Sequence, residues 1–131
     1  MTATRDTNRR HFAATVADAA DAVASALATH PVRGTEPYPI SVVLPVLIEQ
    51  HRVLQEAVDG CGWPLAVNAA GKQDPLIEDL GGLMSFLQLA RVLYHGLEDV
   101  PDWLQVSASR NLSTVHLTAR RVRDQARRQA R

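Results

Sequence analysis

Apolar residues in this chain recur at three- and four-residue intervals over four long stretches, each bounded by proline or glycine. Apart from a possible short extension at Pro64 to Val67, nothing follows the two-residue alternation of a half-buried strand. That periodicity confines the fold to packed amphipathic helices. In the first stretch, Thr7 to Thr29, the residues Phe12, Val16, Ala19, Ala20, Val23, Ala26 and Leu27 share one face, and an alanine-rich interior holds neither Gly nor Pro. Pro31 disfavours helical geometry at His30 and ends it. A rigid connector through Gly34, Pro37 and Pro39 follows.

The second helix is expected over about 42–59, started by Ser41 as cap or by Pro45 in the first turn, and stopped by Gly60 and Gly62. Leu44, Leu47, Leu54 and Val58 form its stripe, and the position that completes the stripe is His51. Between Gly60 and Gln73, Trp63, Leu65 and Val67 supply apolar groups for packing against the helices. Asp74-Pro75 is a strong start signal, a capping side chain followed by proline at the first helical position, with Glu78 and Asp79 acidic in the first turn. The third helix, about 75–97, is apolar around most of its circumference, with a narrow polar strip at Gln88, Arg91 and His95. Gly81-Gly82 inside it points to a close helix contact. The fourth, about 101–126, carries Leu104, Ala108, Leu112, Val115, Ala119, Val122 and Ala126 on one stripe, and residues 1–6 and 127–131 are expected to fray.

Four such helices in 131 residues make one domain, and the fold class expected is all-α, an antiparallel up-down-up-down four-helix bundle. A single cysteine, Cys61, excludes an intramolecular disulfide. No apolar run reaches the roughly eighteen residues of a membrane span, and Met1 to Arg10 has no apolar signal core, so a cytoplasmic protein without membrane contact is the expectation.

The formal charge is zero, from 14 basic and 14 acidic residues, but the bundle topology separates the signs. Residues 1–10 carry three Arg against one Asp, and residues 105–131 carry seven Arg against one Asp. Both segments belong at the same end of an up-down-up-down bundle. Arg120, Arg121, Arg123, Arg127 and Arg128 therefore form a candidate electrostatic handle for an acidic protein partner or, less favoured, for nucleic-acid phosphates. The commoner role of such a run is to complement the helix dipole and solubilise a helix end. No aromatic interleaving, zinc-finger spacing or short helix-turn-helix pair accompanies it.

Candidate chemistry is sparse. Glu49, Glu56, Glu78 and Glu98 are not followed three residues later by His, which disfavours a di-iron bundle. His51 and His116, near the middles of their helices, are weak candidates for a shared metal, with satisfied histidines the commoner alternative. Cys61, between two glycines, has no neighbouring base and reads as a packed thiol. Without a Walker, dinucleotide or nucleophile-elbow pattern, no cofactor and no catalysis are expected. The function favoured is a non-catalytic interaction or regulatory module, a homodimer through the third helix. Leu76, Leu83, Phe86 and Leu93, with Trp63 and Trp103, are its candidate core or interface anchors.

Overall fold

The computed structural model describes the backbone of residues 2–32, 38–60 and 74–131, with side chains from Thr7 onward. Trp63, Leu65, Val67 and Cys61, and the Gly34 and Pro37 of the first connector, lie outside the described residues. The chain forms α1 (Thr2–Thr29), α2 (Ile40–Gly60), α3 (Pro75–Tyr94) and α4 (Gln105–Ala130), with a single 3-10 turn at Asp102–Leu104 before α4.

Each helix packs on two others, in the cyclic order α1, α2, α3, α4 and back to α1, and among the described residues the backbones of the diagonal pairs make no close approach. Polar contacts establish the directions. Asp79 accepts from Gln125, and Tyr94 donates to Asn111, so α3 and α4 run antiparallel. Arg9 reaches Gln129, and Asp21 pairs with Arg123, so α1 and α4 do too. The result is the up-down-up-down four-helix bundle.

The most extensive helix contact joins α1 and α4, and its cause is side-chain size. Ala13, Ala17, Ala20 and Ala24 are buried on α1, and Ala108, Ala119 and Ala126 on α4. Interaxial distance follows the side chains at the contact, so small ones let two helices approach. Alanine also gives Thr7–Thr29 a hydropathy that, by length and composition alone, would suffice for a membrane crossing. Half of that window is buried inside the bundle.

The helix bounds differ from those read in the sequence: α1 begins at Thr2 instead of 7, so residues 2–6 are helical where fraying was expected, α2 spans Ile40–Gly60 instead of 42–59, and three further differences have a local reason. First, α3 stops at Tyr94 instead of 97. His95 at φ −55°, ψ 126° and Gly96 at φ +76° make a turn closed by the Leu97 N–H on the Tyr94 carbonyl. This is the type II geometry, which needs glycine at its third position. Second, α4 begins at Gln105 because Asp102–Leu104 is a tighter turn. Third, α4 continues to Ala130 instead of fraying after 126, since Ala126 is fully buried and Gln129 donates to Asp74 at 3.3 Å.

At the opposite end the two connectors are tied together. The Val100 N–H donates to the Tyr38 carbonyl at 3.0 Å, an isolated antiparallel bridge, and the Ser41 N–H donates to the Glu98 carbonyl at 3.0 Å. That second bond satisfies one of the first amides of α2, which would otherwise lack an intrahelical partner.

Candidate functional site

Packing divides α3 into two unequal faces. Leu76, Leu80, Leu83, Leu87, Ala90 and Tyr94, joined by Ile77, are buried in the bundle. Their spacing of four, three, four, three and four is one continuous helical stripe. Leu76 and Leu83 are thus core residues of the subunit, at 1% and 0% exposure, and are not available as interface anchors. Phe86 is partly buried against the core, whereas Leu93 is exposed.

The outward face of α3 is the unusual surface. Leu89, Val92 and Leu93 are 46%, 68% and 41% exposed, and they continue a face that starts at Gly81, Gly82 and Ser85. From Leu80 to Tyr94 the one charged residue is Arg91, whose positive charge acts on His51 of α2. The Ser85 hydroxyl donates to the Gly81 carbonyl at 2.9 Å, so its proton is used within the helix. A Cβ built at Gly81 or Gly82 meets no described atom within 4 Å. The glycines therefore do not serve a close helix contact among the described residues, which is the role the sequence suggested for them.

Leu89 and Val92 are the face residues that the sequence reading missed as anchors. Both stand across the helix from the buried stripe, so separating the apolar residues by angular position would have isolated them. At the same end of the bundle as the α3 C-terminus, Trp103 and Val106 are 82% and 67% exposed.

Three of the five candidate arginines of α4, Arg121, Arg123 and Arg127, are engaged by carboxylates of the subunit itself. Arg123 contacts Asp21 at 3.2 Å and its neighbour Asp124 at 3.1 Å, Arg127 approaches the same Asp21 oxygen at 3.6 Å, and Arg121 lies 4.0 Å from Asp79. Arg9 joins Asp74 at 3.3 Å. Arg120 and Arg128 are exposed. Exposed pairs of this kind contribute about 0–1 kcal/mol each. Their larger effect is on the field: carboxylates from α1 and α3 are interleaved with the cations, and the basic pole expected from the chain's charge distribution is damped.

His51 and His116 occupy half-buried positions on α2 and α4, diagonal helices whose backbones make no close approach among the described residues. Each faces cations. Burial, then Arg91, holds His51 below the ordinary histidine range, and burial, then Arg120 and Arg123, does the same to His116. Among the described residues no three His, Cys, Asp or Glu side chains cluster as a metal would require.

A second polar feature lies in the core near the tied connectors. The Tyr94 hydroxyl donates to Asn111 Oδ1 at 2.8 Å, and the Tyr38 hydroxyl is buried with no hydrogen-bond partner among the described residues. Burial pushes the pKa of both phenols up to about 12. An open, mainly apolar groove of about 270 Å³ runs between the end of α1 and the start of α2, past Ser25, Thr29, His30, Val42 and Val46. No protein family, curated protein or solved structure matches this chain.

Proposed function

We propose that the chain is a non-catalytic interaction module that self-associates through the outward face of α3. The observation that carries this reading is the uncharged surface from Gly81 to Leu93, with Leu89, Val92 and Leu93 standing in solvent. Their combined exposure amounts to about one and a half complete side chains. At roughly 1.5–3 kcal/mol for each fully buried side chain, covering it would release about 2–5 kcal/mol per subunit and twice that per pair. Association costs about 4–15 kcal/mol in lost freedom, so even the most favourable balance, about 6 kcal/mol, makes a weak, reversible dimer with Kd no tighter than on the order of 10–100 µM.

Sedimentation velocity over about 1–300 µM, a range that brackets that affinity, tests the reading. The wild type should move from monomer towards dimer. Val92→Asp should remain monomeric with an unchanged helical spectrum, because the side chain it replaces is 68% exposed and holds little of the subunit's core. A wild type that stays monomeric throughout rejects self-association.

A further inference from the structure

The outward face of α3 is complementary in size to itself when reversed. Its first half presents Gly81, Gly82 and Ser85, and its second half presents Leu89, Val92 and Leu93. A two-fold axis beside position 87, perpendicular to the helix, would set Ser85 opposite the partner's Leu89. The same axis would set Gly82 opposite the partner's Val92, and Gly81 opposite the partner's Leu93. Leu89, Val92 and Leu93 each then meet a small residue, twice by symmetry as an isologous contact requires, while the exposed Gln88 at the flank of the strip falls level with the partner's half-buried Phe86. A parallel pairing would place Val92 on Val92 and glycine on glycine, so the large residues would hold the helices apart at one end and leave the glycines without a packing partner at the other.

Three further observations fit this arrangement. Among the described residues no atom lies within 4 Å of the space above Gly81 and Gly82, so none of them fills the place assigned to the partner's side chains. Glycine in a helix interior is unfavourable relative to alanine, and no described neighbour requires either one here. The contact strip also carries no charge that its symmetry mate would repel, because Glu78 and His95 lie beyond its two ends and Arg91, about 120° round the helix from Ser85 at 3.6 residues per turn, lies off the strip.

Resting on the reading of this face as a self-association surface, we infer that the occupant of the α3 face is a second copy of this chain, docked antiparallel about position 87 with its Leu89, Val92 and Leu93 over Ser85, Gly82 and Gly81. The partner is thereby specified by residue pairs as well as by apolar character.

Disulfide trapping in a Cys61→Ser background, which has no other thiol, tests the geometry. Gly82→Cys and Val92→Cys are made as separate proteins. In the inferred dimer two copies of residue 82 lie about 15 Å apart along the helix axis, at 1.5 Å per residue, and so do two copies of residue 92. Disulfides need Cα atoms within about 7 Å, so neither protein should crosslink alone. Their mixture should give crosslinked dimer at about tenfold or more over either alone, which the geometric limit on disulfides requires.

Crosslinking of each protein alone, with no gain on mixing, would show a parallel pair and overturn the inference while leaving self-association intact. A dimer by sedimentation with no crosslink in any sample would place the contact elsewhere and overturn it too. A monomer by sedimentation would remove both this inference and the reading beneath it. The substituted positions are an open glycine and an exposed valine, and the helical spectrum of each variant verifies that it folds.

Discussion

Replacing Gly81 and Gly82 together by alanine should stabilise the isolated subunit. Both glycines are well inside α3, which runs Pro75–Tyr94, and neither is buried. The added methyl groups meet no described atom within 4 Å, so no described neighbour opposes the gain. Alanine is favoured over glycine in a helix interior by about 0.5–1 kcal/mol, chiefly through the unfolded chain's larger freedom, so the pair is worth about 1–2 kcal/mol. For a domain of this size each kcal/mol moves Tm by roughly 2–6 °C, giving an expected rise of about 2–12 °C. Urea titration followed by far-ultraviolet circular dichroism, at a concentration low enough to hold the protein monomeric, measures it directly. The midpoint should rise with an unchanged slope. The same variant should dimerise more weakly, because its methyl groups occupy the space assigned to the partner's Val92 and Leu93. A loss of monomer stability would refute the reasoning, since it would mean that the glycines serve the subunit's own packing.

Other outcomes follow from the core and from its titrating groups. Leu83→Ala should cost about 2–5 kcal/mol in urea unfolding, because Leu83 is fully buried within the subunit; a change under 1 kcal/mol, well below that range, would mean that the side chain is not in the core. His51 and His116 are held below their usual 6.5, so the folded protein binds fewer protons than the unfolded chain just below that pH. The stability tied to their neutral forms is then complete above about pH 6.5 and declines as pH falls through that value towards the depressed folded pKa. The double variant His51→Gln/His116→Gln should flatten this slope in a pH series of unfolding curves, and an unaltered slope would reject the assignment. Tyr38 and Tyr94 are the chain's two tyrosines, and both are raised to about 12, so native protein at pH 10 should show almost no tyrosinate absorbance, whereas urea-unfolded protein should be about half ionised.

The helices and their order could be read from the residues alone, because the burial that sustains a helix imprints a three-four period on its own sequence. Asp74 illustrates how local this information is: its carboxylate accepts from the Leu76 N–H at 2.9 Å, and Pro75 follows at the first helical position. The end of α3 was harder to place. Leu97 continues the apolar pattern, yet Gly96 takes a positive φ and closes a turn two residues beyond Tyr94. The extension of α4 to Ala130 depends on Asp74, which is distant in sequence and adjacent in space.

By itself the sequence determined that this chain is an all-helical bundle and which residues share each apolar stripe. Periodicity is a property of one helix and needs no knowledge of its neighbours. Only the tertiary structure decided which apolar residues of α3 are consumed by the subunit and which remain outside: Leu76 and Leu83 are buried between α3 and the helices packed on it, and Leu89 and Val92 stand in solvent. The arginines were decided in the same way, since whether Arg121, Arg123 and Arg127 form a free cationic patch depends on Asp21 and Asp79, which the fold brings to them from α1 and α3. Exposure and charge pairing are relations between helices, and those relations exist only once the helices have packed.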